Sequence, residues 1–225
     1  MKDIIEKEIG VEQGNIHVIY NPIQTGMWKY DERVFKPIEG IIKLLLVGTI
    51  TPLKGGEDLI AACEFLYKRG INVQLTMVGK ESDFASKLRI KHKDKKWLDI
   101  KGPIQRNVLN LLYDQVDIVC VPSWFENMPM VCIEAMLQGC MLIASNVGGI
   151  PEVIVEGETG FMVDAHSPQQ LADKIYSVAH LDVKRKEEIA KAAHKRICEK
   201  FSSEIISKTT LEYYHFVIEN YKSHE

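Results

Sequence analysis

The stretch Lys43-Leu-Leu-Leu-Val-Gly-Thr-Ile-Thr-Pro-Leu-Lys-Gly-Gly-Glu-Asp-Leu-Ile-Ala-Ala-Cys-Glu-Phe-Leu-Tyr67 changes its hydrophobic period at a pair of glycines. Its opening, Lys43–Gly48, is a short, continuously apolar run, the pattern of a strand buried on both faces. Gly55 and Gly56 then open a helix, because Leu59, Ile60, Cys63, Leu66 and Tyr67 recur at helical spacing. Strand, glycine-bearing loop and helix in that order form one unit, and the alternation of strand and helix continues to about Val163.

Further strands are expected at Val73–Val78, ended by Gly79, and at Trp97–Ile100, ended by Gly102. Three more follow at Asp117–Val121, Met141–Ala144 and Gly160–Val163. Helices are expected at Ser82–His92, Arg106–Tyr113 and Pro129–Gln138, the last with proline near its first position and Gly139 just past its end. Strand and helix alternate at intervals of ~20–30 residues, and the strands are apolar throughout. This predicts an α/β fold, a doubly wound parallel sheet covered by helices on both faces. Right-handed crossovers place every strand-to-helix loop along one edge of such a sheet, which is where a ligand binds. The loops at that edge are Gly48–Gly56, Gly79–Ser82, Gly102–Arg106, Pro122–Pro129 and Ser145–Pro151.

Beyond the sheet pattern the chain turns helical. Ser167 and Pro168 start a helix to about His180, a charged helix follows at about Val183–Phe201, and Ser203 caps a last one running to about Tyr221. The first forty residues differ again: a short helical piece, Asp3–Ile9, an apolar stretch, His17–Tyr20, and a turn at Asn21-Pro22. The expected organisation is a hinge and remnant of an upstream segment over 1–40, a Rossmann-like domain over 41–181 and C-terminal helices over 182–225.

The chain has 225 residues, 46% of them hydrophobic and 26% charged, which suits a folded protein and excludes a disordered one. Lys and Arg total 28 against 31 for Asp and Glu, a net charge of −3, so there is no electrostatic footprint for nucleic acid. Small anionic ligands remain open, because they need one or two local charges. The longest apolar stretches, around Ile41–Ile50 and Val116–Phe125, are shorter than the ~18–20 residues of a membrane span. Met1–Gly10 is charged throughout and does not read as a secretory leader. The five cysteines, Cys63, Cys120, Cys132, Cys140 and Cys198, form no CxxC and read as reduced core residues of a cytoplasmic protein.

Absent motifs narrow the chemistry. The sequence has no GxG, hence no dinucleotide fingerprint, and no GxxxxGK[ST] phosphate loop. It has no Asp-x-Asp pair and no HExxH, so no metal site is expected.

Three edge loops carry candidate residues. Pro122-Ser-Trp-Phe-Glu-Asn-Met-Pro-Met-Val-Cys-Ile-Glu-Ala-Met136 places Glu126 in a loop and Glu134, eight positions on, one turn into a helix. Helical side chains tilt toward the N-terminus, so Glu134 can reach back to the edge. The free N–H groups at Met130 and Val131 suit a phosphate, and a carboxylate beside that phosphate suits a ribose diol. The alternative for Glu134 is a carboxylate stabilised by the helix dipole. In the first loop Lys54 precedes the glycine pair, where it can meet a diphosphate with open backbone amides or stand in solvent. In the third, Ser145-Asn-Val-Gly-Gly-Ile-Pro-Glu152, two glycines permit close backbone approach to a ligand or form a tight turn with Glu152 facing water.

In this order the three loops resemble the C-terminal domain of family-4 (group 1) glycosyltransferases, retaining enzymes with two facing Rossmann-like domains, the GT-B architecture. VGTITPLKGGEDLI resembles that family's glycine–x4–proline–x–lysine–glycine loop, PSWFENMPMVCIEAM its Glu-x7-Glu signature, and SNVGGIPEVIVEGETGFMV its following loop and final strand. The resemblance covers nearly all of the chain from about Val18. It implies a metal-independent hexosyltransferase without a cofactor, whose donor is a UDP-, GDP- or ADP-sugar. Glu134 would bind the ribose hydroxyls. Glu126 would contact hydroxyls of the transferred sugar and position its anomeric carbon, and Lys54 would neutralise the diphosphate leaving group. Gly48, Thr49, Asn127, Met128 and Pro129 belong to the same donor-binding loops. Backbone groups near Met130 and Val131 would hold phosphate, and those near Ile104 would meet the base.

Two departures from the family pattern are visible. Thr49 stands where many members have an arginine, and the family's N-terminal, acceptor-binding domain has no counterpart here. Asn21-Pro22-Ile23 resembles the hinge that joins the two domains, so the chain reads as a donor-binding half, largely inactive alone. Its last helix would pack on the other domain, and the open face predicts weak self-association. A glycan or glycolipid acceptor, and any membrane surface, would be met only through that domain. The competing readings are a non-catalytic nucleotide-binding or interaction module of the same fold, and a GT-B nucleotide-sugar epimerase.

Overall fold

The computed structural model describes residues 6, 7, 10, 16–27 and 33–222. Its six strands are β1 (Ile41–Val47), β2 (Asn72–Val78), β3 (Leu98–Lys101), β4 (Ile118–Val121), β5 (Met141–Ser145) and β6 (Phe161–Val163). All pair in parallel, in the order β3-β2-β1-β4-β5-β6. Leu44 sits at the centre, in register with Leu75 of β2 on one side and Ile118 of β4 on the other. The expected strands are all present, each within two residues of its expected bounds.

Eight helices of the described residues have their own axes: α1 (Gly56–Lys68), α2 (Asp83–Lys91), α3 (Arg106–Gln115), α4 (Met130–Leu137), α5 (Ile150–Val153), α6 (Pro168–Ala179), α7 (Val183–Phe201) and α8 (Ser203–Lys222). Alternation along the strands divides them between the two faces. Ile42, Leu44 and Leu46 of β1 join Val73, Leu75 and Met77 of β2 in one cluster with Leu59, Cys63 and Leu66 of α1 and Leu171 and Ile175 of α6. Leu45, Val119 and Leu142 are equally buried and point the other way. There α3 meets β1, and α4 meets β4 and β5. The sheet is therefore apolar on both faces because both are covered, as the unbroken apolar runs require.

Local signals set the helix ends. Ser82 caps α2: its hydroxyl accepts from the Ala85 N–H at 3.0 Å and donates to the carbonyl of Ile50 in the loop after β1. Helix α4 starts at Met130, with Pro129 as its cap and not its first turn. It ends in a Schellman motif on Gly139, whose φ is 65°, with Gly139 N–H on Met136 O at 3.1 Å and Cys140 N–H on Ala135 O at 2.9 Å. Helix α5 lies within what the sequence presents as a plain loop. Four residues are too few to show a helical period, and Pro151 near its start is the one local signal.

The chain divides into two compact units, residues 29–194 with the sheet, and the described parts of 1–28 with those of 195–225. In the first, Phe35 and Ile38 pack against the main cluster ahead of β1. In the second, Ile23 bridges to the chain at α7's end, its N–H on Phe201 O at 2.9 Å and its carbonyl accepting from Ser203 N–H at 3.0 Å. Residues 16–22 form neither helix nor strand, and only Glu6 and Lys7 of the expected N-terminal helical piece are described, both helical. Helix α8 leaves Leu211, Tyr214, Phe216 and Ile218 exposed. No helix of the described residues is long and apolar enough to cross a membrane.

Candidate functional site

The strand order β3-β2-β1-β4-β5-β6 reverses direction between β1 and β4. The crossovers leave this point in opposite directions, so a crevice opens beyond the C-terminal ends of these two strands, the general ligand position in open α/β sheets. Two of the three candidate loops border it: residues 48–55 after β1 and 122–129 after β4.

These loops are fitted to each other through glycine. Gly55 has φ 66°, and a Cβ there would lie 1.9 Å from the Pro122 carbonyl oxygen. Gly79 abuts the carbonyl of Gly48 in the same way, at 1.7 Å. Trp124 completes the fit: its backbone N–H donates to Leu53 O at 2.8 Å, and its indole N–H donates to the Asp58 carboxylate at 2.6 Å. The His166 ring lies 4.1 Å from the indole, on a backbone with φ 59°.

This fit brings Lys54 and Glu126 together across the crevice. Lys54 Nζ donates to Glu126 Oε2 at 2.6 Å, with the ammonium side chain 31% and the carboxylate side chain 15% exposed. Both groups therefore keep some access to solvent. Glu134 emerges from the second turn of α4, also 15% exposed, and receives two donors from α3. Arg106 Nη1 donates to its Oε1 at 2.9 Å, and the Tyr113 hydroxyl donates to its Oε2 at 3.2 Å. A carboxylate offers about four acceptor positions, so each oxygen of Glu134 can take a further hydrogen bond. Tyr113 is fully buried, and burial, reinforced by the Glu134 charge, holds its phenol well above the usual range. It therefore stays a neutral donor.

The remaining candidates line the same edge. Thr49 and Asn127 are exposed, Gly48, Ile104, Met128, Met130 and Val131 are half-buried, and Pro129 is buried. Ile104 belongs to the segment between β3 and α3, two residues before Arg106. The glycine pair at 148–149 has a different task from close approach to a ligand. A Cβ on Gly148 would lie 1.8 Å from Glu126 O and one on Gly149 2.0 Å from Asn127 O, while Gly149 N–H donates to Glu126 O at 3.0 Å. The third loop thus props the second from behind and fixes the backbone that carries Glu126. Glu152, expected to face water, is half-buried.

Several residues at the site escape sequence reasoning. Arg106, Asn110 and Tyr113 lie on one face of α3 at i, i+4 and i+7, a polar stripe that is itself the missed signal. The Asn110 amide oxygen is buried with no hydrogen-bond partner. Trp124, Asp58 and His166 come from three separate elements and share no sequence pattern. Among the described residues no three His, Cys, Asp or Glu side chains converge as a metal-binding group would.

The family model for glycosyl transferases group 1 matches residues 31–196. The chain is 29% identical over 216 residues to the glycogen synthase of Mycobacterium tuberculosis, a match that covers 95% of this chain and 51% of that enzyme. It thus spans about half the length of such curated relatives. Among solved structures, a glycosyltransferase from Rickettsia africae superposes with a TM-score of 0.84 at 22% identity, over 97% of this chain and 62% of that one. Anabaena HepE, solved in complex with UDP and glucose, superposes with a TM-score of 0.76 at 21% identity, over 92% of this chain and 59% of that one. At these identities the superpositions show a shared fold, the Rossmann-like half of a GT-B glycosyltransferase.

Proposed function

We propose that this chain, which belongs to the group 1 glycosyl transferases, is the donor-binding part of a retaining hexosyltransferase that takes a UDP-, GDP- or ADP-sugar without a metal ion or cofactor. The observation that carries the reading is the Lys54–Glu126 ion pair across the sheet's switch point, with Glu134 and its two donors beside it. The UDP and glucose bound by Anabaena HepE, a protein of the same fold, favour UDP as the first nucleotide to try.

In this reading Glu134, held by Tyr113 and Arg106, accepts the ribose hydroxyls on its remaining lone pairs. The N–H groups of Val131 and Thr49 meet the phosphates, because the Met130 N–H, expected to be free, donates to Met128 O at 2.9 Å and the Gly48 N–H donates to Val78 O at 2.9 Å. Lys54 turns from Glu126 toward the diphosphate, a charge-assisted contact that strengthens as negative charge collects there during cleavage of the sugar–phosphate bond. Glu126, released, accepts hydroxyl hydrogen bonds from the transferred sugar. Ile104 and its neighbours border the base, and the acceptor hydroxyl, from a glycan or glycolipid, arrives from an N-terminal domain. Residues 41–181 are the donor domain proper, with 1–40 its hinge and 182–225 its closing helices, and the protein works in the cytoplasm. Thr49, exposed and uncharged, favours a second reading, a module that binds the nucleotide and transfers nothing.

The test is a ligand-detected NMR titration with UDP, GDP, ADP and their glucose conjugates, on the wild type and on Glu134→Ala, without added metal. Saturation transfer to one nucleotide's ribose, lost in the variant, is the expected result. Transfer from none of them to folded protein, or equal transfer in the variant, would overturn the assignment. Binding without sugar transfer by the full-length enzyme would select the second reading.

A further inference from the structure

At the opposite edge of the sheet, where β1, β4 and β5 begin, a cavity of about 370 Å³ opens. A seven-residue strand at ~3.3 Å per residue separates it from the candidate site by roughly 20 Å. The cavity is of ligand size. Its walls come from the segment before β1, the ends of α3 and α6, and Lys186 of α7.

Lys186 is only 3% exposed. Its ammonium has three donors, and its one hydrogen bond among the described residues goes to the Ala179 carbonyl at 2.8 Å. Asp117 and Asp182 attract it, yet among the described residues no carboxylate oxygen comes within the 4.0 Å of an ion pair. Asp117 directs Oδ2 to the Lys43 N–H instead, at 2.7 Å. Arg33, on the same wall, donates to the carbonyls of Tyr113 at 2.9 Å and Val116 at 2.7 Å, again with no carboxylate partner among the described residues. Helix-end carbonyls supply only a partial negative charge. Arg33, Lys36 and Lys186 face Asp114 and Asp117 around the cavity, an excess of one positive charge. A buried ammonium left with one neutral acceptor bears an uncompensated desolvation cost, and burial indeed holds Lys186 below its ordinary pKa.

We propose that this cavity binds a small molecule through an anionic oxygen group, a carboxylate or a phosphate ester, which hydrogen-bonds to Lys186 while its body lies against Val34, Phe35 and Met141. The site is independent of the donor loops and of the function assigned to them.

The experiment is an amide-resolved NMR titration of the whole chain at constant ionic strength with three probes of similar body: glycerol 3-phosphate, glycerate and glycerol. One of the two anions is expected to give saturable shifts at Val34, Phe35, Ile38 and Val116–Ile118, at least tenfold tighter than glycerol, and which anion does so names the group recognised. Lys186→Met should weaken that binding at least tenfold, while Glu134→Gln at the donor site should leave it unchanged. Should Lys186→Met fail to fold, Val34→Trp serves instead: Val34 is 75% exposed and lines the cavity, and a bulky side chain there should block binding with Lys186 intact. The proposal is overturned if neither anion saturates, if the shifts fall on residues 48–56 and 122–131, or if binding is undiminished in folded Lys186→Met or Val34→Trp.

Discussion

Replacing Gly55 with alanine tests whether the two loops at the switch point are held by backbone contact. Gly55 has φ 66°, and a Cβ there would lie 1.9 Å from the Pro122 oxygen and 2.8 Å from its carbonyl carbon. Gly157 provides the control: its φ is 74°, and nothing lies within 4 Å of the corresponding position. Alanine in the left-handed region costs about 1–2 kcal/mol at either site. A stiffer unfolded chain returns about 0.4–1 kcal/mol in both cases, so both effects cancel in the comparison. What remains is the displacement of the end of β4, an overpacking cost of about 1–3 kcal/mol. Gly55→Ala should therefore be less stable than Gly157→Ala by that amount, read as the difference in urea unfolding followed by tryptophan fluorescence. The displaced segment carries Glu126 and its neighbour across the gap is Lys54, so Gly55→Ala should also weaken binding of a nucleoside diphosphate, and Gly157→Ala should not. Equal stability losses would refute the contact. A large loss in Gly55→Ala with wild-type binding would refute the link from that contact to the site.

Tyr113→Phe removes a hydroxyl that donates to Glu134 at 3.2 Å. It should weaken UDP binding about fivefold, the equivalent of ~1 kcal/mol for one hydrogen bond, and calorimetry that finds unchanged affinity would remove Tyr113 from the site. The thiols give a chemical test of burial: burial raises all five, Cys140 to about 11, but Cys63, Cys120, Cys132 and Cys140 are buried while Cys198 is half-buried. A thiol reagent at pH 8 should therefore modify Cys198 first in the folded protein and all five only in denaturant, and early labelling of Cys132 would contradict the packing. Burial, followed by the charges of Lys95 and Lys91, holds His92 below its ordinary pKa. The unfolded chain then binds the proton more readily, so this contribution is present above about pH 6.5 and is lost as pH falls through the folded value. His92→Asn should flatten the decline in stability below about pH 6.5, and urea midpoints at pH 7 and pH 5 that fall equally in both proteins would exclude it.

What the sequence makes legible here is set by the range of the interactions involved. The strands are readable because Leu44–Leu46 and Ile118–Val121 are buried on both faces, and that burial leaves an unbroken apolar run in each segment. The loops are readable because strand-to-helix connections of a parallel sheet share one edge, so Lys54 and Glu126 are placed at that edge without any contact being known. Their meeting at 2.6 Å is not readable, since it depends on β1 lying beside β4 although 70 residues intervene between Val47 and Ile118. Nothing local encodes that pairing. The same holds for Glu134, whose position on α4 follows from spacing, whereas its donors come from a different helix, 28 and 21 residues earlier. The glycines are the instructive case. Read singly, Gly148 and Gly149 are flexible turn residues or an opening for a ligand, but each is crowded by a backbone oxygen of the Glu126 loop. A glycine pair beside an active loop can therefore mark where protein packs against protein. Here that packing, with the Gly149 N–H on Glu126 O at 3.0 Å, fixes the backbone from which the Glu126 side chain reaches Lys54.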